Sequence, residues 1–176
     1  MNDPKDHAAR SAATLAVVHE MEDALGRASN DTRLYFHEDF VWRGNVGCGI
    51  KHGLQEFRKN WQFPIRAAFN EVAYKTEKLM ADGDWAACFG VLEATHYGSF
   101  MGIAPTGKRV RISYMDFWHV EDGRIKSNPV FVDFASVLLQ LGHDVFKGEG
   151  WEAYDRGERP APEPRYSPAI ATTYLG

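Results

Sequence analysis

Apolar and polar residues alternate with period two through most of the second half of the chain, and that pattern predicts strands. Residues 71–80 alternate through Val72, Tyr74 and Thr76, and residues 85–97 return through Trp85, Ala87, Phe89, Val91, Glu93 and Thr95. A third run carries Val110, Ile112, Tyr114, Asp116 and Trp118 on one parity, and a fourth spans residues 124–132. Asp82-Gly83 and Asp122-Gly123 separate these runs in pairs. Asp-Gly between alternating segments signals a tight hairpin turn, because both central positions need positive φ. The first third of the chain follows a different period. Leu15, Val18, Met21 or Glu22, and Leu25 are spaced as one face of a helix over residues 8–25. Asn30-Asp31-Thr32 predicts the cap of a short helix over 33–37, followed by a short strand over 40–43. Gly53 opens another helix carrying Phe57 and Trp61, which Pro64 must kink or end. After Asp133 the spacing of Phe134, Val137, Leu138 and Leu141 is helical again.

Helices followed by an antiparallel meander indicate an α+β fold. The helices must cover one face of a curved sheet, and a concave cavity between the two layers is where a small ligand would bind. Phe89 and Val91 fall on one parity of their strand, Cys88 and Leu92 on the other. One apolar face therefore points away from the helices, and a homodimer formed through it is expected. The domain is expected over residues 1–146. Residues 147–176 are rich in Pro and charge and read as an extended C-terminal arm.

Composition narrows the class. The net charge of −4 and scattered basic residues give no electrostatic case for nucleic acid. No run approaches the roughly 20 apolar residues of a membrane helix, and the N-terminal stretch has no apolar core for a signal peptide. A cytoplasmic protein with no membrane partner is expected. Cys48 and Cys88 form no metal or redox motif. His37-Glu38-Asp39 are adjacent and would point in different directions, so no metal site is expected.

Ala94-Thr95-His96-Tyr97-Gly98, Gly102 and Pro105-Thr106-Gly107-Lys108 resemble the Thr-His-x-Gly…Gly-x-x-Pro-Thr-Gly-Lys signature of the SnoaL-like polyketide cyclases. These belong to the nuclear transport factor 2-like superfamily, whose fold is an α+β cone. Asp116-x-x-His119-x-x-Asp122-Gly123-x-Ile125, Asp133 and the ending Leu138-Leu139-Gln140-Leu141-Gly142 are similar to the same family, over about residues 10–142. The resemblance implies a cofactor-independent enzyme acting on a small apolar carbonyl compound by aldol cyclisation or isomerisation. It implies that Asp133 is the general acid/base and that His119 assists it. In the related ketosteroid isomerases the acid at the position of Asp116 hydrogen-bonds the substrate oxyanion in its protonated form. The chain departs from the family at Ser127-Asn128-Pro129, where many members have Glu-x-Trp and only Asn128 matches.

Asp133, His119 and Asp116 are thus the catalytic candidates. Asp133 is equally placed to be the N-cap of the following helix. Turn geometry decides its partner. A strict two-residue turn at Asp122-Gly123 puts Asp116, Trp118, Phe131 and Asp133 on one face; a bulged three-residue turn brings His119 to the face of Asp133. Trp118, Asn128, Phe131, His96, Trp42, Trp61 and Tyr35 are the candidate substrate-binding residues. Two other functions fit the same residues. One is epoxide hydrolysis by Asp116 and Asp133 bridged by an arginine; the other is a non-catalytic binding module, which a solvated Asp133 would favour.

Overall fold

In the computed structural model, residues 4–26 and 32–163 are described. They fall into two compact units, Met1–His143 and Asp144–Gly176. The first unit begins with helix α1, Pro4–Gly26, whose buried Thr14, Val18, Met21 and Ala24 recur at helical spacing. Strand β1, Phe36–Gly44, and the short β2, Ile50–His52, follow. The expected helix at 33–37 is a single 3₁₀ turn, Thr32–Leu34, and Phe36 and His37 already belong to β1. Its proposed caps Asn30 and Asp31 lie outside the described residues. Next come α2, Gly53–Phe57, and α3, Phe63–Ala68, joined by a π-helical turn, Arg58–Gln62. Pro64 has no N–H to give to the preceding turn, and widening that turn accommodates the loss without ending the helix.

The long strands are β3, Phe69–Asp82; β4, Trp85–His96; β5, Arg109–Glu121; and β6, Arg124–Val132. Helix α4, Phe134–Gln140, ends the first unit. The six strands form one sheet in the order β2-β1-β6-β5-β4-β3. It is mixed, because β1 runs parallel to β6 while the other neighbours are antiparallel. Register shifts interrupt β3 twice, the β1–β6 pair once and the β5–β6 pair once. Each extra residue bends its strand, so the sheet curls around the helices. Gly90 allows a close approach between strands: a Cβ there would lie 2.4 Å from the Lys75 carbonyl oxygen and 2.9 Å from the Tyr114 hydroxyl. The inner face packs Phe36, Phe40, Trp42, Phe57, Ile112, Trp118 and Val130 into one core.

Both hairpins form. Asp122 and Gly123 hold φ of 47° and 72° between the paired Glu121 and Arg124, the geometry of a two-residue turn with both centres left-handed. In the other hairpin Asp82 already pairs with Trp85, so the turn residues are Gly83 and Asp84, one position later than Asp-Gly predicts. Helix α1 grips this turn: Thr14 Oγ1 donates to the Gly83 carbonyl, and the Gly83 N–H donates to Ser11 Oγ, both at 2.8 Å.

In the second unit the described residues do not form an extended arm. They are turns around one short helix, α5, Glu152–Asp155. The Asp144 carboxylate accepts from the N–H groups of Phe146 and Gly148, and those bonds hold its carboxyl below the usual range. Among the described residues, no helix is long and apolar enough to cross a membrane.

Candidate active site

A cavity of about 410 Å³ opens between the inner face of the sheet and the helices of the first unit. Its wall is aromatic and aliphatic: Trp42 from β1, Phe57 and Trp61 from the α2–α3 segment, Trp118 from β5, and Val130 and Val132 from β6. Trp42 and Trp61 pack with ring centroids 4.3 Å apart. The π-helical turn delivers Trp61 and Gln62 to this wall.

Into this apolar setting the sheet projects one carboxyl, Asp116, which is half-buried and borders the cavity. Burial, reinforced by the charge of Glu22 and opposed by a hydrogen bond from Asn128, pushes its pKa up to about 7. A carboxyl with that value is a usable base and a usable acid at neutral pH. Asn128 Nδ2 donates to Asp116 Oδ1 at 3.1 Å and to the Phe117 carbonyl at 2.9 Å. The next residue, Pro129, has no N–H, and the Asn128 amide supplies the β5–β6 pair with a donor that proline cannot. Beside Asp116, the Tyr114 hydroxyl lies 2.8 Å from Thr76 Oγ1, and burial raises its pKa to about 12, so it remains a donor. Among the described residues, no Lys or Arg lines the cavity.

Removing the Asn128 amide has a defined consequence. Asn128→Leu is expected to raise the Asp116 pKa further, because the lost bond favours the charged form. The acid limb of a pH–rate profile should move to higher pH. Stability should fall by about 1–3 kcal/mol as the Phe117 carbonyl loses its donor. A profile unchanged in Asn128→Leu would show that this amide does not tune Asp116.

The cavity gathers four of the expected binding residues, Trp118, Asn128, Trp42 and Trp61, together with Asp116. It does not gather the others. Asp133 is exposed, and its Oδ1 accepts the Ser136 N–H at 2.9 Å as the N-cap of α4. His119 stacks on Trp85 at 4.9 Å. Phe131 is 52% exposed. His119 lies on the parity of β5 opposite to Trp118, and for Phe131 and Asp133 the cause is a register shift in β6. Val120 pairs with Ile125 but His119 pairs with Ser127, so Lys126 is an extra residue. From there on Asn128, Val130 and Val132 face inward, while Phe131 and Asp133 face outward. The turn is strict, as one alternative required, but the bulge beyond it produces the other alternative's arrangement: His119 and Asp133 share a face, and it is the outer one.

His96 is fully buried away from the cavity lining. Its Nδ1 lies 3.0 Å from Thr106 Oγ1, and its ring packs on Phe69 and Phe100. Its neighbours are those of a side chain that fastens the 98–107 loop to the sheet. Tyr35 packs against the core outside the cavity lining. The paired aspartates of an epoxide hydrolase are not formed either, since Asp133 points out and no arginine among the described residues lines the cavity.

Glu22, Tyr74, Thr76, Gln62 and Tyr114 also line the cavity, although none was singled out from the pattern as a site residue. For Glu22 there was a signal: an acid beside Met21 on the apolar stripe of α1. For Tyr114 and Thr76 there was none, because an inward tyrosine or threonine on an alternating strand looks like core.

Comparison with known proteins agrees with this fold. The family model of the SnoaL-like polyketide cyclases matches residues 16–141. The chain is 29% identical over 126 residues to nogalonic acid methyl ester cyclase of Streptomyces nogalater, covering 70% of this chain and 92% of that protein. It is 26% identical over 130 residues to aklanonic acid methyl ester cyclase AcmA of Streptomyces galilaeus, covering 73% and 90%. The solved structure of a nuclear transport factor 2-like protein from Burkholderia thailandensis E264 shares the fold with a TM-score of 0.63 at 18% identity, over 73% of this chain and 96% of that one. The match over residues 16–141, on an α+β cone, places the chain in the SnoaL-like polyketide cyclase family.

Proposed function

We propose that the protein closes a ring by an intramolecular aldol reaction on a neutral, apolar carbonyl compound, using Asp116 as general acid/base and no cofactor. The observation that carries this reading is the placement of Asp116: a carboxyl with a pKa of about 7 inside an aromatic cavity, held by one amide donor. A carboxylate there can take the proton next to a carbonyl, and Trp42, Trp61 and Trp118 can hold a flat polycyclic substrate against it. A cavity with no Lys or Arg among its described lining residues favours a neutral ligand over a free acid. The two curated relatives are named for methyl esters, which are neutral in this sense. The test is incubation with nogalonic or aklanonic acid methyl ester, following ring closure by chromatography. Ring closure by the wild type that Asp116→Asn loses supports the reading; equal ring closure by both overturns it.

A second reading, a non-catalytic binding module, is favoured by one observation, the exposed Asp133. It predicts tight binding of the same esters with no exchange of their acidic C–H protons in D₂O. A homodimer through the outer sheet face and a cytoplasmic setting complete the proposal.

A further inference from the structure

We propose that Glu22 is the second catalytic carboxyl of this cavity, delivering a proton to the oxygen that becomes negative as Asp116 and the substrate react. This rests on the reading of Asp116 as the base. The geometry comes from two elements. Helix α1 lies across β3, β4 and β5, and it turns Glu22 into the same cavity that Asp116 borders. Cys88 of β4 stands directly opposite Asp116 of β5, and its thiol donates to Glu22 Oε1 at 3.9 Å. The two carboxyls therefore meet around Cys88, one from the helix layer and one from the sheet.

Two carboxyls in one apolar site do not ionise independently, and the first charge discourages the second. The groups facing Glu22 are His19 and Asp23 on its own helix, Cys88 on β4, Asp116 and Tyr114 on β5, and Tyr74 on β3. Burial is the largest influence on Glu22 and raises its pKa; the charge of Asp23 adds to this, while His19 and the Cys88 thiol oppose it. The pair shares one proton near neutral pH, and the donors to the two carboxyls differ. Asp116 receives an amide N–H from Asn128, whereas Glu22 receives a thiol, a much weaker donor. Of the two states that share one proton, the reactive one has the charge on Asp116, where the Asn128 amide holds it, and the proton on Glu22.

The proton balance closes. The Asp116 carboxylate takes a proton from the carbon beside one carbonyl, and the electron pair becomes an enolate. The enolate carbon bonds to a second carbonyl carbon of the same molecule. The C=O pair moves onto that oxygen, which takes the proton of Glu22. Asp116 is left protonated and Glu22 ionised, and transfer of one proton from Asp116 to Glu22 restores the start. No electron donor or acceptor is needed.

The test uses the full chain, with nogalonic acid methyl ester as probe and Glu22→Gln as the isosteric variant. In D₂O, Glu22→Gln should keep exchange at the acidic carbon but lose ring closure by about 10²-fold or more, and Glu22→Asp should recover part of it. Asp116→Asn should lose both. Ring closure by Glu22→Gln at the wild-type rate overturns the assignment of Glu22. Exchange that persists in Asp116→Asn overturns the reading of Asp116 instead. A readout independent of turnover is the carboxyl carbon signal of Asp116, followed by NMR against pH. Its midpoint should fall in Glu22→Gln, since the charge of Glu22 raises it. An unmoved midpoint means the two groups are not coupled, and the proposal fails.

Discussion

Asp116→Asn should lose about 10²–10⁴-fold in ring closure, the usual size of a general-base contribution, and should gain stability in the same step. The sign follows from linkage. The folded-state pKa of Asp116 is raised from 3.8 to about 7, so between those values the folded protein holds a proton that the unfolded chain has released. Stability from this group is greatest below the unfolded value and declines as pH rises through about 7. A shift of this size corresponds to about 2–4 kcal/mol at pH 8, and asparagine, which cannot ionise, does not incur it. Urea unfolding at pH 4 and pH 8 is the measurement. Wild type should weaken from the first to the second, and Asp116→Asn should weaken less. Equal pH dependence in both would mean that Asp116 is not shifted in the folded state. Asp133→Ala supplies the contrast: loss of the cap should cost about 1 kcal/mol and leave turnover intact.

The contrast between Asp116 and Asp133 shows what could be read in advance. The period-two alternation around Asp116 was legible, and it places Asp116 and Trp118 on the inner face. The strands, the Asp122-Gly123 turn and the α4 start at Phe134 were legible for the same local reasons. The bulge at Lys126 was not, because no residue type demands one there. A single unpaired residue inverts the parity of everything after it. Asn128 moves inward to line the cavity with Trp118, while Phe131 and Asp133 move outward. A proline within a strand, as at Pro129, favours an edge or a bulge. β6 is in fact interior, between β1 and β5, and the bulge lies three positions before the proline.

Pairings distant in sequence were illegible for another reason. β1 joins the sheet through β6, in parallel, and nothing within residues 36–44 announces a partner nearly ninety positions away. The three-residue β2 is too short to show a period. Pro64 looked like a helix end, yet the π-helical turn carries the chain through it and sets Trp61 and Gln62 on the cavity. Glu22 was visible as an acid on an apolar stripe, but only the sheet beneath it turns that misfit into a candidate functional group.

The double substitution Phe117→Lys/Phe131→Lys should convert a dimer into a monomer of 19.9 kDa. The outer face of the sheet carries Met80, Trp85, Phe89, Met115, Phe117 and Phe131, which are between 38% and 52% exposed in the isolated chain. They occupy four adjacent strands, β3 to β6, so they form one patch rather than scattered positions. Contiguous apolar patches of this kind mark interaction surfaces, and a stable interface buries roughly 1,200–2,000 Å² in total. A curved sheet is a self-complementary surface for a two-fold dimer, in which the same patch serves both copies. Two lysines near the centre of such an interface would each lose water without gaining a partner. A weakening of about 10³-fold or more in the dimer constant is expected. Phe117 and Phe131 do not line the cavity, so ring closure per chain should survive the change. Sedimentation velocity at micromolar concentration gives the answer. A wild type that is already monomeric there, or a double variant that stays dimeric, would show that a second copy does not cover this face.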